Sequence, residues 1–181
     1  MKDLALHILD ILQNSVTAGA TLVKLRIDEV PGKDEYLVKF MDNGKGMDTE
    51  MVQHVTDPFF TTRTTRKVGL GLPLLKQNAE RTGGNMTIHS QPGKGTEVEV
   101  KFSFKHIDRL PTGDIAGTLA LTVSSYPAIY FLYTHHTPEG TFAFDTKEIK
   151  ETLGDLPISN PLVIAFMKDL IRDNLKEIKA T

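Results

Sequence analysis

The chain has 181 residues, a hydrophobic content of 40%, a charged content of 24% and a formal net charge of −2, the make-up of a soluble globular protein with room for one domain plus an appendage, or two small domains. Lys and Arg are interspersed with Asp and Glu, so no basic field is present to attract nucleic acid or an anionic membrane surface. The absence of cysteine excludes disulfides, thiolate catalysis and cysteine-ligated metals.

The N-terminal stretch MKDLALHILDILQNS is apolar only in a short run and carries His7, Asp10 and Asn14 within it. That matches neither a signal peptide nor a membrane span, and a cytoplasmic location is expected. From Asp3 to about Ala18, Leu4, Ile8, Leu9, Ile11, Leu12 and Val16 follow helical spacing. Asp3, His7, Asp10, Asn14 and Thr17 form the opposite, polar stripe, and Gly19 ends the helix. Val23, Leu25 and Ile27 alternate with Lys24, Arg26 and Asp28 as in a half-buried strand; a turn at Pro31–Asp34 leads to a second strand, Tyr36 to Met41. Glycine-rich loops and a short helix follow. Leu70 to about Arg81 reads as a helix that tolerates Pro73 in its first turn. Gly83 and Gly84 end it, and strands 85–90 and 96–104 form a hairpin.

A second block begins near Pro111. Asp114 is placed to cap a helix to about Ser125, and Ile129, Phe131 and Tyr133 form a strand that turns at Thr137–Gly140 into Phe142 and Phe144. These aromatic strands read as core. Asp145 with Glu148 makes a capping box for a short helix. Asn160-Pro161 opens a last helix whose buried stripe is Val163, Phe166, Met167, Leu170, Ile171 and Ile178. The division is 1–107 and 108–181.

Chemistry concentrates in the first block. Asp42 closes a buried strand directly before Asn43-Gly44-Lys45-Gly46. A carboxylate there can accept a hydrogen bond from an exocyclic amine such as that of adenine, and glycines let backbone approach the base plane; an Asn-Gly turn after a strand has the same letters. Gly69-Leu70-Gly71 precedes a helix, which suits a phosphate nest or an ordinary loop-to-helix junction. Asn14, one turn after Asp10, offers an oxygen that suits Mg²⁺, while Asp10 could orient a water or hydroxyl. A solvated helix face would carry the same residues.

Five elements in this order make the set specific. HILDILQNSVTAGAT, DNGKGMD, DPFFTTR, VGLGLPLLKQNAERTGGN and PGKGTEVEVKF resemble the N, glycine and F boxes of the GHKL ATP-binding superfamily. Its members include sensor histidine kinase catalytic domains, anti-sigma serine kinases, gyrase B subunits, heat-shock chaperones and MutL. The resemblance covers residues 1 to about 105 and is strongest to the sensor kinases. It implies an α+β fold, a two-layer sandwich of helices on one face of a mixed sheet, with a small C-terminal α/β extension. It further implies that ATP with Mg²⁺ is the ligand, that Asn14 ligates the metal, and that Asp42 binds adenine with Thr96 supporting it through a water. Gly44, Gly46 and Met47 would shape the base site. Gly69, Leu70, Gly71 and Leu72 would hold phosphate, residues 57 to 68 would form the lid, and Phe59, Arg63 and Lys67 would meet the nucleotide from it.

The chain departs from the pattern in two places. Lys67-Val68 stands where the kinases carry Gly-Thr before GLGL. Asp10 stands where the ATPases and serine kinases place Glu as general base and many histidine kinases place Asn; Asp is shorter than Glu by one carbon–carbon bond, roughly 1.5 Å. Residues 14–21 are similar to MutL, the F box and lid to histidine kinases. Thirteen residues before Asn14 cannot hold a phosphoacceptor hairpin, and none of the six histidines precedes Asp or Glu. A partner protein is therefore expected to carry the acceptor, and a homodimer is allowed. Three functions follow from the resemblance: a kinase subunit, an ATP-gated switch or slow ATPase, and a non-catalytic nucleotide sensor.

Overall fold

A computed structural model of the protein describes residues 1–57 and 71–181. Helix α1 spans Leu4–Thr17, strands β1 and β2 span Leu22–Val30 and Glu35–Asp42, and helices α2 and α3 span Thr49–His54 and Gly71–Arg81. Strands β3 (Asn85–Gln91) and β4 (Gly95–Ser103) follow, then α4 (Ile115–Ser125), β5 (Tyr130–Thr137), β6 (Gly140–Asp145), α5 (Thr146–Leu153) and α6 (Pro161–Glu177). The six strands form one sheet in the order β3-β4-β2-β1-β5-β6. Only the β1–β5 pair is parallel, so the sheet is mixed, as expected.

The sheet is covered by helices on one face, and the burial pattern shows why. Val23, Leu25 and Ile27 are buried while Lys24 and Arg26 between them are exposed. Helix α1 packs between α3 and α4, and α6 lies against α4. The opposite face carries cross-strand charge pairs such as Lys39 with Glu97 at 2.7 Å and Lys101 with Glu35, which suits a solvated antiparallel face. Among the described residues no helix is long and apolar enough to cross a membrane.

The cap expected at Asp114 holds α4, and Asp3, which the sequence reading placed only on the polar stripe, caps α1. Asp3 accepts from Leu6 N–H at 3.0 Å and Asp114 from Gly117 N–H at 2.9 Å. At α5 the Asp145 carboxylate accepts from Lys147 N–H, and Asn160 caps α6 through Leu162 N–H. Val163, Met167 and Ile171 of α6 and Ile178 just after it are buried as expected, and Leu170 is half-buried. Phe166 is not: it is 50% exposed, because α4 covers too narrow a stripe of α6 to reach it. His7 departs from the polar stripe expected of α1 and is buried, since α3 closes over that side of the helix.

Residues beyond 107 supply two strands to the sheet. Phe131, Tyr133, Phe142 and Phe144 are core residues, as their spacing predicted. A polar network lies beneath them. Buried Glu29 on β1 meets His135 Nε2 at 2.8 Å and accepts from the backbone N–H and the hydroxyl of Thr181, each at 2.8 Å. The other ring nitrogen of His135 lies 2.6 Å from the Tyr133 hydroxyl. Burial pushes the Glu29 carboxyl upward, but the hydrogen bonds from His135 and Thr181 prevail and hold it below its usual value. Its stabilisation is therefore present above the unfolded carboxyl pKa of about 4.3 and is lost as pH falls below it. Glu29→Gln should cost about 1–3 kcal/mol at neutral pH by leaving buried donors unpaired, and should remove part of the acid-induced loss. Thermal melts of both proteins at neutral pH and near pH 4 check both effects.

Candidate nucleotide site

The candidate residues gather where the second half of α1, the end of β2 and the β3–β4 hairpin meet. Asp42 is the last residue of β2. Its Oδ2 accepts from the Ser15 hydroxyl of α1 at 2.8 Å, and its Oδ1 accepts from Gly44 N–H at 2.9 Å. Both carboxylate oxygens are thus held by donors from different segments. An aspartate so fixed is a directed acceptor rather than a free surface charge.

The loop after Asp42 is bound on every side. Asn43 Oδ1 accepts from the N–H groups of Thr21 and Leu22, both at 2.9 Å, and its amide donates to the Thr21 hydroxyl. Lys45 N–H reaches Ala18 carbonyl at 2.9 Å, and Gly93 N–H reaches Lys45 carbonyl at 2.7 Å. Gly46 has a left-handed φ of +66°, and a Cβ there would collide with the Gln91 carbonyl, so the position requires glycine twice over. Met47 N–H donates to the Ser90 hydroxyl, which donates to Gly95 carbonyl. Thr96 lies opposite Asp42 in the β2–β4 register, and its hydroxyl is 2.9 Å from that of Ser90.

Asp10 and Asn14 are half-buried on α1, one helical turn apart. Helix α3 begins against this turn: a Cβ on Gly71 would collide with the Asp10 carboxylate. The start of α3, with Leu72 half-buried behind it, and the acidic residue of α1 therefore adjoin. Phe59, Arg63, Lys67, Gly69 and Leu70 lie outside the described residues. Among the described residues no group of three His, Cys, Asp or Glu side chains could hold a metal alone. Asn14 fits Mg²⁺ only as one oxygen donor to an ion held mainly by phosphates, the usual arrangement for that cation.

Three residues of the site escaped the motif reading: Ser15, Asn43 as a loop clamp, and Ser90. Ser15 and Ser90 carry no sequence signal, because a hydroxyl gains its role only from what folds against it. Asn43 was visible as a turn residue, but its grip on Thr21 and Leu22 is a tertiary contact. His7, one turn before Asp10, lies 3.2 Å from Asn78 of α3, and its Nδ1 has no hydrogen-bond partner among the described residues. Burial pushes its pKa down against the pull of Asp10. Because the folded value lies below the unfolded one, about 6.5, this histidine leaves stability intact above that pH and erodes it as pH falls below. Lowering the pH from about 7.5 to about 5.5 should reduce the melting temperature, and His7→Gln should flatten that dependence. An equal slope in both proteins would show that His7 stays neutral in neither state preferentially.

Comparison with known proteins places this geometry in context. The profile of the family described as "Histidine kinase-, DNA gyrase B-, and HSP90-like ATPase" matches residues 2–106. The non-motile and phage-resistance protein of Caulobacter vibrioides is 30% identical over 116 residues, which are 59% of this chain and 14% of that protein. Sporulation kinase D of Bacillus subtilis is 32% identical over 93 residues, 51% of this chain and 18% of that protein. The chain therefore spans less than a fifth of the length of these relatives. Among solved structures, the Aquifex aeolicus MutL ATPase domain complexed with ADP superposes with a TM-score of 0.54 at 17% identity, covering 84% of this chain and 69% of that one. That likeness establishes the fold.

Proposed function

Because the chain belongs to the histidine kinase-, DNA gyrase B- and HSP90-like ATPases, we propose that it binds ATP with Mg²⁺ at this site and passes the γ-phosphate to an acceptor on a partner protein. The observation that carries the nucleotide reading is Asp42, fixed by Ser15 and Gly44 beside a loop in which a Cβ at Gly44 or Gly46 would collide with its neighbours. An acceptor held so firmly beside close-approaching backbone suits the exocyclic amine of adenine. Gly44, Gly46 and Met47 would border the base, and Thr96, at the level of Asp42 on β4, would complete its polar surround.

The phosphates would extend from the base toward the start of α3, where Gly71 and Leu72 open the helix and its dipole favours negative charge. Gly69, Leu70, Arg63, Arg66 and Lys67 are proposed to meet them from the preceding segment, with Phe59 as a further nucleotide-binding residue. Asn14 would supply one oxygen to Mg²⁺. When bound, that ion neutralises charge developing on the transferring phosphoryl group. Asp10, against which Gly71 is packed, would take the proton from the attacking hydroxyl, imidazole or water at a carboxylate oxygen.

The kinase reading draws support from sporulation kinase D and related sensor kinases among the relatives. The likeness to a MutL ATPase domain complexed with ADP favours the second reading, an ATP-gated switch with slow hydrolysis. Under either reading the site is cytoplasmic, and residues 108–181 form an extension through which a partner could be engaged.

Mg-ADP at a hundredfold excess over its Kd should stabilise the protein by about 2.7 kcal/mol, read as a rise in melting temperature. No shift at millimolar Mg-ADP, with a folded protein, would remove the nucleotide reading. Asn14→Asp should alter the Mg²⁺ dependence of that shift without unfolding the apo protein. Radiolabel from γ-labelled ATP should pass to a co-purified partner with negligible hydrolysis by the chain alone; turnover by the isolated chain, abolished in Asp10→Asn with binding retained, would favour the switch.

A further inference from the structure

The Ser15 hydroxyl sits on the turn of α1 that carries Asn14, is only 4% exposed, and spends its proton on Asp42 Oδ2. The terminal torsion of an aspartate is broad and roughly two-fold, so a carboxylate held at one oxygen can turn about its own axis. Here the second oxygen is held as well, by Gly44 N–H of the loop that follows. The two donors sit on separate segments, one on helix α1 and one on the loop after β2. Together they fix the plane of the carboxylate.

We propose that Ser15 is a positioning residue for base selection: it holds Asp42 as a fixed acceptor, so the site takes a purine bearing an exocyclic amine and rejects one bearing a carbonyl at the same place. An amine donates to the carboxylate, whereas a carbonyl oxygen sets two acceptors against each other. A carboxylate free to turn relieves that conflict by swinging aside. One tied at both oxygens cannot, and a site built around a fixed hydrogen bond discriminates sharply against a ligand that leaves it unmade. The inference rests on the nucleotide reading of Asp42 and adds the residue that makes the reading selective.

Calorimetry with Mg-ADP and Mg-IDP, whose base carries a carbonyl in place of the amine, tests it on the full chain. The wild type should prefer ADP. Ser15→Ala should shrink the ADP-to-IDP preference by about tenfold, the weight of one hydrogen bond to a charged group, and Ser15→Thr should restore most of it. Should Ser15→Ala fold poorly, Ser15→Cys keeps the volume with a weak donor and gives the same reading. An unchanged preference in Ser15→Ala, or equal losses for both nucleotides, would overturn the role of Ser15 while leaving nucleotide binding intact. Failure of the wild type to bind either nucleotide would overturn both, and is distinguished by its occurrence before any substitution.

Discussion

The carboxylate of Asp42 is tied at one oxygen to helix α1 and at the other to its own following loop, and the geometry around it is what those two bonds require. For Ser15 to reach Asp42, α1 must lie across the end of β2. The clamp of Asn43 on Thr21 and Leu22 and the bond from Lys45 to Ala18 bring the end of α1 and the loop together. Glycine at 44 lets that approach happen, because a Cβ there would press on Ala18. The β3–β4 hairpin then closes the far side through Ser90, Gly93 and Gly95. No single bond in this set is strong. Their value is that they are mutually consistent and leave one polar group with a defined direction.

The sheet supplies the rigid base for that arrangement. One face is apolar and covered by helices; the other carries paired charges in water. The parallel pairing of β5 with β1 extends the same sheet by two strands, so residues beyond 107 stiffen the strand next to the one that ends in Asp42. Buried Glu29, just beyond the residues of β1 that pair with β5, reaches His135 of β5 through its side chain. A carboxylate in that position is tolerated because His135 and Thr181 satisfy both of its oxygens.

Much of the fold was legible in the chain. Alternation in 23–28 marked β1, and the Asp114, Asp145 and Asn160 caps marked three helix starts within a residue or so. These signals are local: period, capping and turn chemistry are set by neighbours in sequence. The misreadings have a common cause. Phe166 has the spacing of a buried residue, yet half of it stays exposed; His7 has the spacing of an exposed one, yet α3 covers it. Periodicity reports which residues share a face of a helix. It does not report how wide a neighbour covers that face.

The sequence by itself determined the order of the elements, because period, caps and turn residues act on their neighbours in the chain, and it pointed to the fold class through the resemblance that its five motifs carry. It also brought Asp10, Asn14 and Asp42 forward as a set. Tertiary structure alone decided that Ser15 and Gly44 share Asp42, that Gly71 packs against Asp10, and that Glu29, His135 and Thr181 form one buried network. Those contacts join residues far apart in the chain through ordinary side chains. A serine or glutamate carries no mark of its partner until packing removes water from around it and makes an unmet hydrogen bond costly.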